Sequence, residues 1–176
     1  MRFHYFPQTD PPPKFLPAIV EVFKRHEALI STEQRSKGLT SNETLAVLRP
    51  DLLTLGFQVE AGKADQDKIS RPVFFGENGE PTLTYEIDAY HARWRCGLEV
   101  EAGRAWMGNA VYRDLIQALV MVQVDTLVLA VPNGYKFQSG GKEVVSPDYS
   151  RTITLARALF GHSRVRFPYC LGVIGY

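Results

Sequence analysis

Three acidic residues stand at spacings that can bring them to one place. The stretch Tyr85-Glu86-Ile87-Asp88-Ala89-Tyr90 is followed by Leu98-Glu99-Val100-Glu101. Side chains alternate across a strand, so Glu99 and Glu101 share one face while Leu98 and Val100 take the other. If 82–91 and 96–101 pair as a hairpin, the midpoint of Asp88 and Glu99 falls between Arg93 and Trp94. A short loop centred there sets Asp88 opposite Glu99, about 4.5–5.5 Å apart at Cβ. Like charges so placed repel, and ionised carboxylates cost more as they are buried. A bound cation relieves both costs. Oxygen donors without His or Cys suit Mg²⁺ or Mn²⁺ rather than zinc. An ion held this way beside a phosphate can activate water and stabilise the charge that develops in phosphodiester cleavage. Taken alone, the same acids also fit the solvent face of an antiparallel sheet.

The elements that would position these acids are visible in the hydrophobic pattern. Residues 1–14 contain Pro7 and Pro11-Pro12-Pro13, which favour an extended arm. Helical spacing of Ile19, Val22, Phe23, His26 and Ile30 predicts a helix over about 15–31, followed by a loop over 36–42. A second helix begins at Thr40 or Ser41, with Leu45, Leu48, Leu52 and Leu55 on one stripe. Pro50 predicts a kink or break near Arg49, and Gly56 a stop. Short strands follow at 57–63, 73–75, 82–90 and 96–101. Asn78-Gly79 marks a hairpin between the second and third, and Gly103 ends the last one just after the acids. A helix from near Asn109 presents Val111, Leu115, Ala118, Leu119 and Val122. The apolar run 126–131 reads as a strand buried on both faces. The Gly-rich stretch 132–147 reads as a long functional loop, 150–160 as a helix and 170–174 as a last strand. The core order is α-β-β-β-α-β, a mixed central sheet flanked by helices in an α/β architecture, with 1–176 as a single domain.

Composition agrees with this class. Of 176 residues, 45% are hydrophobic and 22% charged, which excludes a disordered or collagen-like chain. Lys plus Arg is 20 against 19 Asp plus Glu, so any nucleic-acid affinity must come from local charge rather than a basic coat. Two cysteines are too few for a disulfide scaffold or a cysteine-rich zinc site. With no membrane-length apolar run and no secretory pattern at the start, the expected location is cytoplasmic, away from membranes.

The order α-β-β-β-α-β, Asp88 on the second core strand and Glu99-Val100-Glu101 on the third resemble the PD-(D/E)xK nuclease superfamily, with its restriction-endonuclease-like fold. The resemblance covers roughly 40–131. It implies a divalent-metal-dependent DNA endonuclease in which Asp88, Glu99 and the main-chain carbonyl of Val100 bind Mg²⁺ or Mn²⁺. Glu43, near the start of the preceding helix, is implied to join them. Ile87 stands where the motif usually has Pro, and Glu101 stands where it usually has Lys. One branch of type II restriction enzymes has Glu at that place, and this sequence looks like that branch. There Glu101 takes the lysine's position near the attacking water; otherwise a lysine such as Lys63 substitutes, or the site is degenerate.

Other residues carry two readings each. Thr40-Ser41-Asn42-Glu43 also fits a helix capping box. Arg93, Arg95, Arg104 and Arg113, interleaved with Trp94 and Trp106, either contact phosphate or compensate the acids. Lys63, Arg93, Arg104 and Arg113 are the nucleic-acid candidates. Lys136 and Lys142 either follow a DNA backbone or solubilise their loop. His91 is assigned a structural role. Ser139-Gly140-Gly141-Lys142 lacks the spacing of a phosphate loop, and no nucleophile elbow is present. The expected partner is DNA, with a homodimer or partner protein supplying further specificity. The alternative is an inactive nucleic-acid-binding or protein-interaction module on the same fold. A carboxylate-pair glycosidase is weaker, because an aromatic sugar platform is missing.

Overall fold

A computed structural model describes residues 1–33, 38–103, 105–106 and 108–176. Strand β1 (Arg2–Phe6) leads into helices α1 (Leu16–Arg25), α2 (Glu27–Ile30) and α3 (Ser41–Thr54). Strands β2 (Gln58–Val59), β3 (Ile69–Phe75), β4 (Pro81–Ile87), β5 (Ala89–His91) and β6 (Cys96–Val100) follow. Then come α4 (Ala110–Val120), β7 (Thr126–Val131), β8 (Tyr135–Ser139), β9 (Lys142–Ser146), α5 (Asp148–Gly161) and β10 (Cys170–Gly175).

The central sheet has six strands in the order β1-β10-β7-β6-β5-β2. β10, β7 and β6 run parallel, and β1, β5 and β2 are antiparallel to their neighbours. Every residue of β7 is buried, as its unbroken apolar run requires of a middle strand. Alternation along the sheet feeds two cores. Leu98, Val100, Val128 and Ala130 pack with Leu16, Phe23, Leu45 and Leu48 of α1 and α3. Leu127, Leu129 and Val131 pack with Val111, Leu115 and Ile153 of α4 and α5 on the other face. The expected α/β architecture, a mixed sheet between helices, is observed.

Several local expectations are corrected. The start of the 1–14 arm is not free: Arg2–Phe6 pairs with β10, because backbone donors at a sheet edge gain partners there. Pro50 does not break α3, which runs unbroken from Ser41 to Thr54. Its Leu45, Leu48 and Leu52 are buried along the helix, and that packing outweighs the one hydrogen bond proline removes. Of the stretch read as strand 57–63, Gln58–Val59 pairs with β5, and one further backbone bond follows from Glu60 N. The 132–147 loop is a hairpin, β8 with β9, turned by Gly140 and Gly141 at positive φ. The strand read as 82–90 is two strands. β4 pairs with β3 in a separate two-stranded ribbon, and β5 joins the main sheet. Asp88 sits at the junction.

Candidate active site

The β5–β6 hairpin has the register inferred from the acids. Ala89 faces Leu98, Tyr90 faces Gly97 and His91 faces Cys96, so continuation of the ladder sets Asp88 across from Glu99. Asp88 leaves the ladder there. Its carbonyl accepts from Glu60 N at 2.8 Å, and its carboxylate accepts from Val100 N at 2.7 Å. Glu99 and Glu101 occupy the face opposite Leu98 and Val100, as alternation demands. The end of β6 is fixed from three sides: Glu101 N donates to Ala130 O at 2.8 Å, Tyr176 Oη donates to Glu101 O at 2.7 Å, and Ala102 N donates to Ser41 Oγ at 3.1 Å.

These acids line a cleft of about 1070 Å³, together with Glu60, Lys68, Arg113, Asp114, Tyr135 and Lys136. Asp114 was missed in the sequence, although it lies on the apolar stripe of Val111, Leu115 and Ala118. An acid on the buried stripe of a helix is a readable signal. Its side chain is 1% exposed; Oδ1 accepts from Arg113 Nε at 3.0 Å, and the carboxyl also lies within hydrogen-bond reach of the Glu101 carboxyl. Arg113 also meets Glu101 at 3.2 Å.

Burial, before any other cause, raises the pKa of all four acids. Asp88 is pushed up to about 7, with the Val100 amide opposing the shift and Glu60 and Asp114 adding to it. Glu101 is pushed up to about 8 by burial and Asp114, against the opposing charge of Arg113. Glu99, 7% exposed, is raised well above the carboxylate range by burial, then by Asp88, Asp114 and Glu101.

The other candidates are placed as follows. Glu43 does not turn into the cleft. Its carboxylate accepts from Thr40 N at 2.8 Å and Thr40 Oγ1 at 2.9 Å, and Thr40 Oγ1 accepts from Glu43 N, closing the capping box. The assignment of Glu43 as a metal ligand and catalytic acid is corrected accordingly. Arg113 is at the site. Arg93 is exposed in the turn at the far end of the β5–β6 hairpin, because the acids stand where those strands part and Arg93 where they join. Arg95 pairs with Asp125 at 2.5 Å instead. Arg104 lies outside the described residues. Lys63 is exposed and off the cleft. The excursion after β2 closes through Ala61 N to Asp67 O at 2.9 Å, so the lysine returned to the cleft is Lys68. Lys68 Nζ meets Glu60 at 3.3 Å and Glu86 at 2.8 Å. No local sequence signal marks it. Trp94 stacks between His91 and Phe15, and Trp106 Nε1 donates to Asp148 O and Thr152 Oγ1. Both tryptophans therefore serve packing. His91 is structural, with Nε2 against Leu55 O and Nδ1 accepting from Trp94 N.

The donor set fits a hard divalent ion. Among the described residues no group of three or more His, Cys, Asp or Glu is placed to hold a metal ion. Mg²⁺ does not need one, since it keeps several waters and takes one or two carboxylates. Asp88, Glu99, Glu101 and Asp114 offer carboxylate oxygens to one cleft, the donor type that Mg²⁺ takes.

No protein-family model matches the chain, and no curated protein does. Among solved structures, 99% of the chain aligns with 74% of the restriction endonuclease BglII, from its crystal structure complexed with a DNA 16-mer. The TM-score is 0.52 at 11% sequence identity. The likeness shows the fold: this chain is restriction-endonuclease-like. No described helix is long and apolar enough to cross a membrane.

Proposed function

We propose that this chain is a divalent-metal-dependent nuclease that hydrolyses DNA phosphodiesters, on the branch of the superfamily with Glu in the lysine position. The observation that carries the reading is the convergence of Asp88, Glu99, Glu101 and Asp114 on one cleft of a restriction-endonuclease-like fold. Asp88, Glu99 and the Val100 carbonyl would hold Mg²⁺ or Mn²⁺. When bound, the ion supplies Lewis acidity to a phosphoryl oxygen and makes a bound water more acidic.

The chain's own residues do the rest. Glu101 accepts the proton of the attacking water. Arg113 and Lys68 offset negative charge on the phosphate. Water oxygen forms the new bond to phosphorus, the ester P–O bond breaks, and the departing oxygen ends protonated. The β8–β9 hairpin bounds the cleft through Tyr135 and Lys136.

Incubation of duplex DNA with the full chain and Mg²⁺ tests this reading. Cleavage should require the metal and should fall about a hundredfold or more in Asp88→Asn, with an unchanged circular dichroism spectrum. Metal-independent cleavage, or full activity in Asp88→Asn, would remove the assignment. Metal-free binding without any cleavage would support the inactive module instead.

A further inference from the structure

The two signs of charge are unevenly distributed along this chain. Residues 149–176 hold Arg151, Arg157, Arg164 and Arg166 and no Asp or Glu. Arg2, Arg157, Arg164 and Arg166 are exposed, and among the described residues none of them is in an ion pair. Arg151 differs, because its Nη1 donates to Ser146 Oγ at 3.1 Å.

These four arginines are carried by elements that pack together. The Arg2 guanidinium lies 4.4 Å from the centre of the Tyr149 ring on α5. Arg157 and Arg2 both act on His4 of β1, which is held below its usual pKa by burial and by these two charges. Phe6 of β1 packs on Phe160 at 5.8 Å, and Phe160 stacks on Phe167 at 4.5 Å. Those rings pin the segment carrying Arg164 and Arg166 to the end of α5.

We propose that β1, the outer edge of α5 and the 162–168 segment form a second DNA-binding surface, one that grips phosphodiester backbone without reading sequence. It is separate from the acidic cleft, since β10 and β7 lie between β1 and β6, a span of about 14 Å at ordinary strand spacing. Exposed guanidiniums outside any described ion pair suit phosphate, which they bind through two parallel hydrogen bonds while releasing counterions. An anionic bilayer would want apolar side chains beside the cations. Among the described residues of 149–176, Val165 is the one large exposed apolar side chain. The choice of DNA among polyanions rests on the nuclease reading above; the surface itself does not.

Metal-free fluorescence anisotropy of the full chain, with labelled duplexes of about 30 base pairs and unrelated sequences, tests the surface across roughly 50–200 mM salt. The triple variant Arg157→Gln/Arg164→Gln/Arg166→Gln should bind every duplex about tenfold or more weakly, with a log–log salt slope shallower by roughly 3. A control with the same charge change elsewhere, Lys14→Gln/Lys24→Gln/Arg25→Gln, all exposed, should keep the slope. Unchanged binding in the triple variant, equal losses in both, or a loss confined to phosphatidylserine vesicles would each overturn the proposal. The nuclease reading fails separately: a chain that binds through this surface yet never cleaves keeps the surface and loses the activity.

Discussion

Asp88 owes its position to a change of sheet. The chain leaves the β3–β4 ribbon at Ile87 and enters the main sheet at Ala89, so the carboxylate of the residue between them is free to cap Val100 N. Its partners Glu99 and Glu101 follow from simple alternation. The two basic residues of the site arrive differently: Arg113 from a helix start and Lys68 from the return of a loop. Lys68→Ala should therefore lower metal-dependent cleavage, while Lys63→Ala leaves it near wild type. Steady-state rates on one duplex would show this, and the reverse order would restore Lys63 as the substitute lysine. The acids were legible because period-two alternation and hairpin symmetry are local rules. Lys68 and Glu60 were not, because their meeting depends on how an irregular excursion closes. Asp114 could have been found from its place on an apolar stripe.

At the level of elements, α3 shows how two readings of one residue are decided. Thr40 and Glu43 satisfy each other's backbone amides, and Ser41 Oγ ties the same helix start to Ala102 beyond β6. Glu43 is thus an anchor for the helix that supports the acidic strand. Glu43→Ala should cost about 0.5–1 kcal/mol in urea unfolding, with cleavage changed only slightly. Loss of activity comparable to that of Asp88→Asn would return Glu43 to the ligands. Helices and strands with long apolar patterns, such as β7 and α4, were read at nearly their observed limits. Pro50 is a local breaker, and the packing of Leu48 and Leu52, both fully buried, overrides it. The 132–147 stretch misled because its glycines mark the hairpin turn, not a structureless loop. Close approach also shapes this wall of the cleft: a Cβ on Gly103 would lie 2.6 Å from the Tyr135 ring.

For the molecule as a whole, the central acids make stability depend on pH and on cation. Asp88 and Glu101 have folded-state pKa values raised to about 7 and about 8, above the carboxylate range of the unfolded chain. The folded state therefore binds more protons than the unfolded one between those limits. Their contribution to stability is fully present at about pH 4 and is lost as pH rises through 7 and 8. Metal-free thermal melts should show this decline, and Asp88→Asn should flatten part of it. A decline that is equally steep in Asp88→Asn would mean that Asp88 is not one of its sources. A divalent ion bound to the deprotonated acids should reverse the trend, stabilising the fold more at pH 8 than at pH 6.

Calorimetric titration of Mn²⁺ into the full chain and into Asp88→Asn probes the acidic centre directly. The wild-type chain should show saturable uptake that strengthens with pH and releases protons, and the variant should lose it while remaining folded. Equal Mn²⁺ binding by both chains would contradict a metal centre built on Asp88 and its neighbours.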